Sequence, residues 1–250
     1  MMKKLLYSLL IGISAFCITS CMEIDNFAAP DAHVTGRLID STTGENYITD
    51  HTDSEIRIWE KSYSLNPSPQ GIPVKSDGTY NNTKLFAGTY NMLPFNGPYW
   101  PADTAFSVKI GGGKTTVQDF TVTPYLKIVN FKAELKGDTI TMSCRLQAPL
   151  TSRGGVALPQ VLEVRPFLSL TQFCGAANRI DYYYSNNFRV NLRRTWDRID
   201  ANGDGISDDT YTIRVDVKKG YTYNVRMGAS VNDTYQKYNY SEIVRISVPQ

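Results

Sequence analysis

The sharpest chemical signal in the chain is the run Asp200-Ala201-Asn202-Gly203-Asp204-Gly205-Ile206-Ser207-Asp208-Asp209. Asp200, Asn202, Asp204 and Asp208 place oxygen donors at loop positions 1, 3, 5 and 9. Gly205 stands at position 6, where a cation loop needs a sharp turn. Tyr211 occupies position 12 in place of a bidentate glutamate, and no helix is predicted after it. The spacing therefore fits a short Ca2+ loop better than an EF-hand, and calcium is the expected cofactor. The competing reading is an Asp/Gly-rich solvated turn, in which solvent alone relieves the repulsion among the carboxylates.

A second set of residues is aromatic. Asn96-Gly97-Pro98-Tyr99-Trp100-Pro101 cannot form a regular strand, because prolines bracket its rings. Gly175–Asp209 is expected to be a long connection carrying Tyr182, Tyr183, Tyr184 and Trp196, and connections of that length are usually functional or disordered. Tyr99, Trp100, Tyr183 and Trp196 are the candidate ligand-binding residues, since flat rings beside Asn, Asp and Arg suit stacking on sugars or gripping a peptide. The alternative is that Trp100 and Trp196 plug sandwich ends or pack between domains. Trp59 shares an alternating strand with Arg57 and is expected to face solvent or a partner.

Catalytic patterns are poor. The chain has two histidines, His33 and His51, and lacks a GxSxG elbow, an HExxH helix and a GxxxxGK[ST] loop. A carboxylate pair for glycoside hydrolysis stays open, because any acid-rich chain offers one. The expectation is a protein that is not an enzyme.

The first 21 residues set the compartment. Lys3 and Lys4 precede an apolar run from Leu5 to Ile18, too short to span a bilayer. The run ends at Ser20-Cys21, so residues 1–20 read as a lipoprotein signal peptide and Cys21 as the lipidated residue, followed by a tether over 21–31. Removing residues 1–20 takes two lysines and no acid, so 26 basic residues become 24 against 24 acidic ones. A mature chain with no net charge and no basic block makes nucleic acid an unexpected partner. Cys144 and Cys174 are then the thiols of the folded part. Either a disulfide or two buried free thiols fits the sequence.

Sixteen tyrosines, short β-branched runs and frequent turn residues predict an all-β chain. Alternating strands are expected at His33–Asp40, Glu55–Glu60 and Thr115–Val122. Beyond Pro124 they are expected at Leu126–Leu135, Thr139–Leu146, Val161–Phe167, Phe188–Arg193, Thr210–Val217, Tyr221–Ala229 and Ser241–Val248. The predicted domains are 32–124 and 125–250, each with its own core.

Val34-x-Gly36, Asp40, Thr43-Gly44, then Asp77-Gly78-Thr79-Tyr80 and Leu85-x-x-Gly88-x-Tyr90 resemble the carboxypeptidase-regulatory-like, transthyretin-like β-sandwich. Lys219-Gly220-Tyr221-Thr222-Tyr223 with Ser241-Glu242-Ile243 resembles the last strands of an Ig-like, fibronectin-III-like sandwich. Tyr223 takes the tyrosine-corner position, and Cys144 stands where such domains usually bury a tryptophan. Signal peptide, transthyretin-like domain and Ig-like domain in this order resemble a two-domain family of Bacteroidetes-type lipoproteins of undefined role. That family is typically encoded beside SusC/SusD-type nutrient transporters. The resemblance implies an outer-membrane, lipid-anchored, surface-exposed protein. It would serve as an accessory or ligand-capture subunit in glycan or peptide uptake, with the transporter pair as partner. The rival implication is a structural or adhesive surface protein, and a glycoside hydrolase is third. Glu23 and Asp25, just after the lipidated cysteine, agree with surface export.

Overall fold

The computed structural model describes residues 29–51, 53–62 and 65–250. Cys21, the expected signal peptide and most of the 21–31 tether lie outside the described residues. Among these residues no helix is long and apolar enough to cross a membrane.

The first part of the chain forms β1 (Ala32–Asp40), β2 (Glu55–Glu60), β3 (Gln70–Pro73), β4 (Thr79–Leu85), β5 (Gly88–Phe95), β6 (Phe106–Ile110), β7 (Thr115–Val117) and β8 (Phe120–Val122). One sheet runs β4-β1-β7, with β8 also on β1, and the other runs β3-β2-β5-β6. Period-two side chains make the core between them. Val34 and Leu38 from β1 meet Ile56 and Ile58 from β2, with Tyr80, Tyr90, Met92 and Phe120. The acidic motif positions act as turn staples: Asp40 Oδ1 accepts the Thr42 N–H at 2.8 Å and Asp77 Oδ1 the Thr79 N–H at 3.0 Å.

The second part forms β9 (Lys127–Lys136), β10 (Thr139–Gln147), β11 (Ser152–Arg153), β12 (Val156–Ala157), β13 (Val161–Ser169), β14 (Val190–Arg194), β15 (Tyr211–Asp216), β16 (Thr222–Val231), β17 (Tyr238–Tyr240) and β18 (Val244–Ser247). Its sheets are β15-β10-β9 and β14-β13-β16-β17, with β18 also on β16 and a small β11-β12 hairpin. No sheet among the described residues takes strands from both sides of residues 123–126. The chain is all-β, built as tandem sandwiches. The Tyr223 hydroxyl accepts the Lys218 N–H at 3.1 Å and reaches the Lys218 carbonyl at 3.4 Å, the backbone clasp expected of a tyrosine corner. Cys144 and Cys174 are both buried free thiols, and burial pushes each up to about 12. The disulfide does not form.

β13 and β16 are buried on both faces. Their inner faces fill the second sandwich's core. Towards the other face lie charged and aromatic groups, and these form a seam with the first sandwich. Arg226 and Asp50, 1% and 0% exposed, approach to 3.7 Å. The Arg226 guanidinium lies 3.7 Å from the Tyr240 ring centroid. Tyr240 donates its hydroxyl to Asp53 Oδ2 at 2.8 Å, and Lys237 Nζ reaches Asp53 Oδ1 at 3.2 Å. Asn239 bridges the same seam, donating to the Tyr47 hydroxyl at 2.8 Å and to the Pro98 carbonyl at 2.9 Å, and accepting the Leu126 N–H at 3.1 Å.

Beside the seam, Glu163 binds Arg165 at 2.5 Å, Arg189 at 2.6 Å and the Tyr238 hydroxyl at 2.6 Å. Burial alone would raise its pKa, but these hydrogen bonds outweigh that and hold the carboxyl below the usual glutamate value. A depressed folded value means the stabilisation is present above the ordinary value of about 4.3. It is lost as pH falls through the folded value. Thermal melts across acidic pH should therefore fall more steeply for wild type than for Glu163→Gln. Parallel profiles would show that Glu163 carries no acid-labile stability.

Candidate functional site

The outer face of the β3-β2-β5-β6 sheet carries Trp59, Arg57 and Glu55 on β2 opposite Asn91, Leu93 and Phe95 on β5. Strand alternation sends these side chains away from the core, so Trp59 and Phe95 remain half-buried. The Arg57 guanidinium lies 3.4 Å from the Phe95 ring centroid and is held by Glu55 at 2.7 Å. The turn after β16 closes over this face. Asp233 Oδ1 accepts the N–H groups of Tyr235 at 3.2 Å and Gln236 at 2.6 Å, presenting Tyr235 outward. Tyr235, 40% exposed, packs edge-on against Phe95 at 5.4 Å.

The result is a groove of about 360 Å³ with walls from both sandwiches, lined by Trp59, Leu93, Phe95, Tyr125, Asp233 and Tyr235 among others. Asn96 lines it too, in the left-handed region at φ 56°, and its Oδ1 is shut from solvent without a hydrogen-bond donor. Such strain and an unsatisfied acceptor are concentrated at functional sites. Burial raises the Asp233 carboxyl above its ordinary value despite the N–H bonds that lower it. The groove thus offers flat rings beside the Asp233 carboxylate.

The four aromatic residues expected to bind ligand are buried instead. Tyr99 and Trp100 are 3% and 4% exposed. They point to opposite sides of an extended segment, so Tyr99 joins the first core and Trp100 the second. Tyr99 shares its hydroxyl with Ser54 at 2.7 Å and forms the floor of the groove. Gly97 is required beneath it, since a Cβ there would lie 2.0 Å from the Tyr99 ring. Trp100 packs on Tyr125 at 5.3 Å. Trp196, 6% exposed, plugs the second sandwich. The expected long connection is in fact broken by 3-10 turns at Asp181–Tyr184, Asn186–Phe188 and Trp196–Arg198 and by β14. Tyr183 is also buried, as the floor of a separate cavity of about 590 Å³. Tyr235 is the exposed aromatic of the groove, and Trp59 and Phe95 are half-buried in it. Trp59 faces outward as its strand period requires, whereas Tyr235 sits in a turn that the aromatic pattern did not single out.

In the acidic loop the expected cation ligands are engaged by N–H donors of the turn. Both Asp200 oxygens are taken by hydrogen bonds. Oδ1 accepts Gly203 and Asp204 N–H at 2.9 and 3.1 Å, and Oδ2 accepts Gly205 N–H at 2.8 Å and the Trp196 indole at 3.1 Å. Asn202 Oδ1 accepts Asp204 N–H, Asp204 Oδ1 accepts Ile206 N–H, and Asp208 Oδ2 accepts Ala201 N–H, each at 2.8–2.9 Å. Among the described residues no group of three or more His, Cys, Asp or Glu could hold a metal ion. Side chains that converge on backbone N–H groups staple a turn and need no cation. Millimolar calcium should leave the melting temperature of the intact protein unchanged. A rise that Asp204→Ala abolishes would restore the calcium loop.

Tandem β-sandwiches, a buried polar seam and an aromatic groove beside it define a two-domain all-β protein. The chain belongs to the DUF3823 family. Residues 32–123 match the model described as the N-terminal domain of this protein of unknown function, and residues 126–245 match its C-terminal domain of unknown function. A Bacteroides uniformis ATCC 8492 protein whose name proposes carbohydrate binding is similar in structure, with TM-score 0.67 and 25% identity over 88% of this chain and 100% of that one. A DUF3823 protein from the same strain has TM-score 0.73 at 23% identity, with the same coverage. One from Parabacteroides merdae ATCC 43184 has TM-score 0.63 at 22% identity, covering 88% of this chain and 100% of its own. No curated protein matches the chain.

Proposed function

We propose that this protein is a non-catalytic carbohydrate-capture module displayed on the outer membrane by a lipid on Cys21, accessory to a SusC/SusD-type uptake system. The observation that carries the reading is the groove at the seam, where the half-exposed Trp59, Phe95 and Tyr235 stand beside the Asp233 carboxylate. A pyranose presents C–H faces that stack on flat rings and hydroxyls that donate to oxygen acceptors. A pre-formed pocket between domains is a common place for such recognition. The B. uniformis relative whose name proposes carbohydrate binding supports the same ligand class.

The buried carboxylates near the seam favour binding over hydrolysis. Asp50, Asp53 and Glu163 are each engaged by an arginine or a lysine, and a general acid must instead be free to exchange a proton.

The test is native electrophoresis through gels containing individual soluble polysaccharides. Wild type should be retarded by at least one, and Trp59→Ala should lose about tenfold in affinity. Equal retardation of Trp59→Ala would move the site elsewhere, and no retardation across a broad panel would end the carbohydrate reading. Anchoring is tested separately: Cys21→Ala should leave the membrane fraction or stay unprocessed. Pull-down of the native lipoprotein from solubilised outer membranes should bring a β-barrel transporter with it.

A further inference from the structure

The strands of the first sandwich run between two unlike ends. At one end lies the seam: β1 closes on Asp40, whose carboxylate meets Lys127 of the second sandwich at 3.7 Å. β2 starts just after Asp53 and β5 ends just before Pro98, both of them seam residues. At the other end the chain enters β1 at Ala32, which pairs with Leu85. Three connections gather there. The β4-β5 turn carries Phe86 and Ala87. Gly112 of the β6-β7 turn lies against Asp31 and Ala87, so close that a Cβ on it would stand 3.2 Å from the Asp31 carboxylate and 3.6 Å from Ala87 Cβ. The β2-β3 loop starts at Lys61, whose N–H donates to the Thr89 carbonyl at 2.8 Å.

This entry pole has the chemistry of an interfacial surface. Its tips are apolar: Leu65 is 98% exposed and Phe86 46%. The backbone at both tips is held. Tyr90 donates its hydroxyl to the Phe86 carbonyl at 3.0 Å, and Lys61 Nζ donates to the Leu65 carbonyl at 3.5 Å. Lys61, Lys84, Lys109 and Lys114 are all exposed, and each adjoins the end residue of a strand at this pole, against the acids Asp31 and Glu60. The positive excess is local, since residues 21–250 carry no net charge. Single apolar side chains scattered over a surface are ordinary. Apolar tips flanked by lysines are different, because they can dip into a headgroup layer while the ammonium groups meet anionic lipid.

Chain length says what this pole meets. Asp31 follows Cys21 by ten residues, so its reach from an anchored Cys21 is at most about 35 Å. The nine residues of β1 span about 30 Å. The sandwich is therefore held within about its own length of the bilayer, by the end that carries the apolar tips. We infer that the entry pole docks on the membrane surface, with Leu65 and Phe86 among the headgroups and the four lysines against anionic lipid. The seam and its groove then stand away from the bilayer. The inference rests on the proposed N-terminal anchoring and adds the face on which the anchored protein stands.

The test holds the mature chain from residue 22 on nickel-chelating vesicles of phosphatidylcholine and phosphatidylglycerol by an N-terminal hexahistidine tag. Its outcome does not depend on lipidation of Cys21, which flotation of the native lipoprotein checks separately. An environment-sensitive dye is attached at Ala87→Cys, beside Phe86, or at Lys136→Cys, where β9 ends away from the seam. Cys144 and Cys174 are buried and stay unlabelled. Relative to vesicles without nitroxide lipid, headgroup-region nitroxides should quench the dye at position 87 and leave the one at 136 unchanged. Adding Leu65→Ser with Phe86→Ser should abolish the quenching, and adding Lys84→Glu with Lys114→Glu should weaken it. These positions are exposed, so the fold should survive, and native near-UV dichroism verifies it. Four results would each overturn the inference. They are no quenching at position 87, equal quenching at 87 and 136, quenching that persists without the apolar tips, or a blue shift at 87 that grows with protein concentration in the absence of vesicles. The last would assign the pole to contact between copies of the chain.

Discussion

Asp50→Ala should cost about 3–5 kcal/mol in denaturant unfolding, because it leaves Arg226 charged and unpaired inside the seam. Arg226 is 1% exposed. Its Nη1 donates to the Thr49 carbonyl at 3.2 Å, and its charge is otherwise met by Asp50 and the Tyr240 ring. Asp50 also accepts the Ala177 N–H at 2.6 Å, so the substitution frees a loop of the second sandwich as well. The seam has no slack here: a Cβ on Gly175 would lie 2.2 Å from Arg226 Nη2 and 2.5 Å from Asp50 Cγ. Replacing both charges, as Asp50→Ala with Arg226→Met, should recover much of the loss, because the uncompensated charge goes with its partner. A single-variant cost below about 1 kcal/mol would mean the pair is effectively solvated. The same geometry bears on the expectation that 32–124 and 125–250 fold alone. Each fragment would expose half of a buried ion pair, and the second would lose Trp100 from its core, so each should be less stable than in the intact chain.

Trp196→Ala should cost a similar amount, about 3–5 kcal/mol. The indole fills the second core and donates Nε1–H to Asp200 at 3.1 Å. Its loss leaves a cavity and loosens a turn whose backbone N–H groups converge on that carboxylate. Trp196→Phe keeps most of the packing and removes only the hydrogen bond, so it should cost nearer 1 kcal/mol. Equal costs for the two variants would show that the hydrogen bond, and not the packing, is the larger part. A negligible cost for Trp196→Ala would show that the ring is not a core plug.

What was legible in the sequence follows from where side-chain period and environment agree. Thr139–Gln147 alternates inward and outward along its whole length, and its strand was readable to within a residue. The same period correctly turned Trp59 outward. β3, β6 and β17 escaped notice because they are three to five residues long and carry too little pattern. The buried charges were invisible for a different reason. Glu163 and Arg165 sit on a strand covered on both faces, and Asp50 in an irregular loop, so only tertiary packing gives them partners. Trp100 and Trp196 left two readings open, because proline and polar neighbours mark a loop, while burial is decided by the sandwich that the loop crosses. Asp200, Asn202, Asp204 and Asp208 have cation-loop spacing, yet the same oxygens satisfy turn N–H groups equally well. Spacing alone cannot choose between those two uses.

Quenching of tryptophan fluorescence gives direct access to the proposed groove. The chain has three tryptophans. Trp100 and Trp196 are 4% and 6% exposed, so emission open to acrylamide comes from Trp59. Titrating in the polysaccharide that retards the protein should shield that emission and shift it. Trp59→Phe should show neither the quenchable fraction nor the response. Full acrylamide access to Trp59 at saturating polysaccharide would contradict carbohydrate capture in this groove.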